Sequence, residues 1–158
     1  MRLFIFLLTL TCLPSAYAET NLKALSGEIL TLPQRGWVHL VFFNLWDSYG
    51  DTGARQTLAL LPETFNAQAT TVWIQPRINV TDAQLRKFQQ EFPEVKPLVV
   101  DEGFTLMRHY GHWQLPAHVI LHDGTTVFSG TSDAMQNYVH KITENKNATQ
   151  KNSKELTP

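Results

Sequence analysis

VHLVFFNLWDSYGD, residues 38 to 51, decides how the chain is read. From Val38 to Phe43 it is apolar apart from His39, the composition of a strand buried on both faces. Trp37 extends the strand backwards and Leu45 forwards. At Trp46 it gives way to Asp47, Ser48, Tyr49, Gly50 and Asp51, a polar, glycine-bearing turn. Beyond the turn, Ala54, Leu58 and Leu61 recur at helical spacing. Asp51 or Thr52 can cap that helix by accepting from its free first-turn amides, and Pro62 ends it or starts another turn.

Outward from this unit, the alternation continues. Ser26 to Gly36 reads as a turn at Gly27, a short strand from Glu28 to Leu32 closed by Pro33, and a second turn at Gly36. Thr70 to Ile74 is a strand bounded by Gln75-Pro76. Thr81 or Asp82 caps a helix that runs to Phe92, with Leu85, Phe88 and Phe92 facing inward and Pro93 stopping it. Pro97 to Val100 is a short apolar strand leading into Asp101, and Phe104 to Tyr110 is a short helix closed by Gly111. Asp123-Gly124 between two apolar runs predicts a type I′ hairpin, a turn that needs positive φ at both central residues. A last helix starts at Ser132 or Asp133 and carries Met135, Tyr138, Val139 and Ile142 on one face. Residues 144–158 hold almost no apolar side chain and are expected to form a disordered tail.

The order of these marks resembles thioredoxin-like proteins of the TlpA and ResA type, over roughly Ser26 to Ile142. In that family the central strand runs into Trp-Cys-x-x-Cys and then a helix. Here Trp46 is present, with Asp47 at the first cysteine position and Gly50 at the second. The second half of the pattern is complete in order: Asp101, Gly103, Tyr110-Gly111, Pro116, Asp123-Gly124 and Gly130. The resemblance implies an α/β, three-layer fold with a central mixed sheet flanked by helices, and a cis peptide at Leu115-Pro116. It describes a degenerate member without the redox pair.

The leading segment reads as a secretory signal: Arg2, an apolar run from Leu3 to Leu13, and Ala16-Tyr17-Ala18 as a cleavage site, so the mature chain is expected to begin at Glu19. The apolar run is short for a spanning helix, which needs about 20 residues, and Thr11 before Cys12 disfavours a lipoprotein. The expected location is periplasmic or secreted, with residues 19–143 as one domain and no stable membrane insertion after cleavage. Cys12 is the single cysteine and leaves with the leader. A mature chain without a thiol cannot perform disulfide exchange, which proceeds by thiolate attack. Twelve Lys and Arg against fourteen Asp and Glu then leave a formal charge of −2, with no basic excess for nucleic acid.

Other chemistry is weakly signalled. Asp47 reads as a cap or loop residue, since a helix N-terminus favours its charged form and lowers its basicity. His109 and His112 are interrupted by Gly111, and His118 and His122 on a strand would stand about 13 Å apart. The four are therefore read as polar surface histidines and His39 as a satisfied core or sheet-end histidine. No metal, cofactor or catalytic residue is expected. Asn79 and Asn147 head short glycosylation sequons, which match often by chance.

What remains is a surface for a partner. The resemblance implies a groove formed by Trp46, Asp47, Ser48, Tyr49 and Gly50 on one side and Leu115 and Pro116 on the other, in which an extended backbone pairs with the pre-proline residue. The expected function is a redox-inactive, exported module that binds an envelope protein or extended peptide and is not an enzyme. The alternatives are a thiol-independent metal handler or enzyme, and a structural subunit of an envelope secretion or conjugation apparatus.

Overall fold

The computed structural model describes residues 21–33, 35–48 and 53–155. The expected leader, Asp51 and Thr52 lie outside the described residues. The elements in chain order are β1 (Asn21–Lys23), β2 (Ile29–Thr31), β3 (Trp37–Phe42), α1 (Leu45–Ser48), α2 (Ala54–Ala59), α3 (Glu63–Asn66), β4 (Ala69–Pro76), α4 (Asp82–Glu91), β5 (Leu98–Asp101), α5 (Thr105–Tyr110), β6 (Ala117–His122), β7 (Thr125–Gly130) and α6 (Ser132–Glu155). A 3-10 turn, Glu102–Phe104, leads into α5.

Five strands form one mixed sheet in the order β5-β4-β3-β6-β7. β3 pairs with β4 and β4 with β5 in parallel, while β6 runs antiparallel to β3 and β7 antiparallel to β6. β1 and β2 form a small antiparallel ribbon. It covers the β5 edge through an Ala24–Val99 bridge and a Leu25 N–H donated to the Leu98 carbonyl at 2.7 Å. The central strand is strongly apolar because neither of its faces meets water: Val38 to Phe43 are all at most 1% exposed.

Side-chain alternation along β3 divides the core. Val38, Leu40 and Phe42 pack with Val72, Ile74 and Met107 under α5, with Leu22 and Leu32 joining from the ribbon region. On the opposite face Val41 and Phe43 meet Leu85 and Phe88 of α4. Ile120 on the same face meets Met135 and Val139 of α6 and Phe65 of α3. The Thr81 hydroxyl and the Gln84 side chain close a capping box at the start of α4. The buried Asp101 carboxylate receives the Thr105 hydroxyl and the Leu106 and Met107 amides at 2.9–3.0 Å, which satisfies the start of α5. Asp123 and Gly124 have φ of 49° and 74°, the two positive values of the expected hairpin.

Three boundaries differ from the sequence reading. β3 stops at Phe42 and not at Leu45, because Asn44 starts a helical turn two residues before the expected break. β4 continues through Gln75-Pro76, since a proline at the last residue of a strand needs to supply only its carbonyl. The third correction is the tail: α6 does not end near Thr143 but runs to Glu155. Its first three turns are fixed by packing, and the Glu, Lys, Gln and Ala that follow propagate a helix readily once it is nucleated, with no Gly or Pro before Pro158 to stop it.

The core bears the stability, so Phe42→Ala is expected to cost about 3–5 kcal/mol. Urea unfolding followed by tryptophan fluorescence checks it, and a loss below about 1 kcal/mol would contradict the packing described.

Candidate functional site

Register places the site. In the β3–β6 ladder Phe42 stands opposite Ala117. The residues that follow β3 and those that precede β6 therefore emerge at the same end of the sheet, which brings α1 and Leu115-Pro116 together there.

The α1 turn is held from both sides. Asn44 acts as its cap: its Oδ1 accepts the Trp46 amide at 3.2 Å, its carbonyl accepts the Ser48 amide at 3.1 Å, and its Nδ2 donates to the Asp47 carboxylate at 3.1 Å. Below it, the fully buried Gln75 of β4 accepts the Leu45 amide on Oε1 at 2.8 Å and donates Nε2 to the Pro76 carbonyl at 2.7 Å. Leu45 is anchored in the core with Phe43 and Leu85. Gly53 closes against the same turn, and a Cβ there would lie 3.1 Å from the Ser48 Cα and 3.3 Å from the Asp47 carbonyl oxygen. A side chain at residue 53 would require the α1 turn to give by a few tenths of an ångström.

Held in this way, the turn presents Trp46, 50% exposed, and the exposed Asp47 outward, while Ser48 is buried. Across from it Leu115 packs on the core beneath α5 and Pro116 is half-buried. The Leu115–Pro116 peptide is cis, as is Lys96–Pro97. Tyr49 and Gly50 lie outside the described residues. Trp113, in the loop that leads to Leu115, is 68% exposed, a second large aromatic side chain at this end that the sequence reading did not single out. Its position two residues before Leu115 was the available signal.

The histidines depart from the surface reading. His109 is exposed, and His122 lies against the Trp37 ring with centroids 4.1 Å apart. His118, however, is fully buried, a correction that follows from strand order: β6 sits between β3 and β7 with helices on one face and α5 on the other, so Ala117 to Ile120 have no wet side. Its Nδ1 is 3.0 Å from Nε2 of the equally buried His39, and its Nε2 is 3.0 Å from the Ser132 hydroxyl at the start of α6. His39 is a core histidine as expected but is only half satisfied, because its buried Nδ1 has no partner. Gly111, at φ 73°, ends α5 between His109 and His112 as expected, and His112 Nε2 lies 2.8 Å from the Ser129 hydroxyl. Among the described residues no group of three or more His, Cys, Asp or Glu is gathered as metal ligands.

Burial holds the inner pair neutral. It pushes His39 down to about 3, with His118 adding to the effect, and His118 down to about 4, with His112 adding. Burial also lowers His112.

Comparison with known proteins finds no matching family model and no matching curated protein. Solved structures do match. A secreted disulfide oxidoreductase from Mycobacterium tuberculosis, described as homologous to E. coli DsbE, superposes with a TM-score of 0.57 at 17% identity over 81% of this chain and 99% of that one. An exposed lipoprotein thioredoxin from Streptococcus pneumoniae gives 0.57 at 17% identity, over 78% and 99%. A putative thioredoxin from Neisseria meningitidis gives 0.63 at 13%, over 82% and 89%. The chain has the thioredoxin-like fold. With one cysteine in the whole sequence it cannot form the Cys-x-x-Cys disulfide.

Two predictions follow from this geometry. Gln75→Leu leaves the Leu45 amide unpaired in the core, while the Pro76 carbonyl keeps the Ile78 amide at 2.7 Å, and urea unfolding should show a loss of about 1–3 kcal/mol. An unperturbed effect would mean that the turn is not pinned to β4. The second concerns acid. Histidines of the unfolded chain titrate near 6.5, above the values of the folded pair, so between pH 6.5 and about 3 to 4 the unfolded chain binds more protons. Stability is then full above pH 6.5 and declines as pH falls through that window, by on the order of several kcal/mol. Urea midpoints measured across the window check this, and the double variant His39→Leu with His118→Leu should flatten the dependence.

Proposed function

We propose that this chain is an exported, redox-inactive thioredoxin-like module that binds a protein or extended peptide of the cell envelope through the groove between the α1 turn and Leu115-Pro116. The observation that carries the proposal is the half-exposed Trp46 on a turn held by Asn44, Gln75 and Gly53. A large aromatic side chain left in water on a rigid support is a contact residue of the kind that dominates binding interfaces. Trp113 adds to the same end of the sheet. Main-chain pairing beside Leu115 supplies affinity, and the two indoles supply selectivity.

The absence of sulfur shapes the mode of action. Asp47 occupies the first cysteine position and Gly50 the second, so a partner is held by contact alone and is released without a reductant. Export is supported by the leader-like residues 1–18 and by two structural relatives described as secreted and as an exposed lipoprotein. No helix among the described residues is long and apolar enough to cross a membrane.

The test is affinity capture from an envelope fraction on the immobilised chain starting at Glu19, with and without reductant. A specific partner is expected to be retained equally in both. Trp46→Ala should weaken it by about 2 kcal/mol, roughly thirtyfold, and Leu115→Arg should abolish retention. Capture unchanged by both substitutions would count against the groove.

A further inference from the structure

Outside the groove, one polar pair has the arrangement of a chemical site. Ser129 lies on β7 opposite Val119, with its hydroxyl 2.8 Å from His112 Nε2 and its side chain open to solvent. Both partners are mounted on fixed backbone. β7 is hydrogen-bonded to β6, and His112 is fastened at the end of α5, where its amide donates to the Met107 carbonyl at 2.9 Å beside the Gly111 amide on Arg108. The imidazole lies partly buried with its centroid 5.9 Å from the Phe42 ring. A hydroxyl within hydrogen-bond reach of a positioned imidazole is the minimal unit of nucleophilic acyl transfer.

We propose that Ser129 and His112 act as nucleophile and general base and take an acyl group from an ester onto the Ser129 hydroxyl. This goes beyond the binding function and shares with the groove only Trp113, the residue next to His112. The Ser129 oxygen forms a bond to the ester carbonyl carbon while its proton passes to His112 Nε2. The bond from that carbon to the leaving oxygen then breaks, the leaving oxygen keeps the bonding pair, and it takes the proton from Nε2 to depart as the alcohol. Water attacks the acyl-serine by the same exchange of one proton through His112, so the sum is ester plus water giving acid plus alcohol, with no oxidant or reductant. Burial keeps the imidazole neutral at neutral pH, the form that accepts the proton. The exposed indole of Trp113, the residue next to His112, offers its face to an apolar or aromatic ester.

The probe is p-nitrophenyl acetate, incubated with the folded chain starting at Glu19, with release of nitrophenolate and the site of acetylation read by peptide mass mapping. Ser129 is expected to be acetylated ahead of every other residue, in a reaction that is flat through neutral pH and falls only on the acid side of the ordinary histidine range, as His112 takes up its proton. Ser129→Ala should remove the label, and His112→Gln should slow it about a hundredfold while leaving the melting temperature within a few degrees. Acetate spread over lysines and serines without preference for Ser129, or an unchanged rate in His112→Gln, would overturn the assignment.

Discussion

The antiparallel pairing of β3 with β6 is the constraint on which the rest of the molecule depends. β3 lies at the middle of the sheet, with β4 parallel on one side and β6 antiparallel on the other, and its residues from Val38 to Phe42 are excluded from water. Every backbone donor and acceptor in such a strand has to be paired, because an unpaired buried one costs about 1–3 kcal/mol, and this leaves little freedom to slip in register. Once Phe42 faces Ala117, the α1 turn and the Leu115-Pro116 segment must emerge side by side. Hydrogen bonds and apolar packing fix this geometry, and sulfur has no part in it. The α1 turn and the Leu115-Pro116 segment are therefore brought to the same end of the sheet without a disulfide.

Most of this was legible in the sequence, and for identifiable reasons. The apolar run at Val38, the stripe Leu85-Phe88, the Asp123-Gly124 turn and the Gly111 stop are local signals, each set by residues within a few positions of one another. Gln75 and His118 are different. Gln75 reads as a polar residue before a proline at the end of a strand, and only the arrival of Leu45 from another strand explains why it is buried. His118 reads as one of four similar histidines, and its partner His39 lies 79 residues away. Nothing local distinguishes it from His122, which stays at the rim. The extent of α6 is illegible for another reason: its polar second half buries little surface of its own, and it is the first turns, held by Met135 and Val139, that let the helix extend at little further cost.

The buried histidines set a second theme. A core built only of aliphatic and aromatic side chains would tolerate a wide range of pH. Here the chain His39–His118–Ser132 joins β3, β6 and α6 through neutral imidazoles. Such a network fixes which strand faces which helix, at the expense of acid tolerance. It lies within the core, between β3, β6 and the start of α6.

Restoring the missing sulfur tests the central claim most directly. Reduction of insulin by dithiothreitol would be followed with the chain starting at Glu19 and with its double variant Asp47→Cys, Gly50→Cys. If the fold has kept the site and lost only its thiols, the parent leaves the uncatalysed rate unchanged, and the double variant forms an intramolecular disulfide and accelerates the reaction. Turnover by the parent, or a double variant that forms its disulfide and still does not accelerate reduction, would contradict the account.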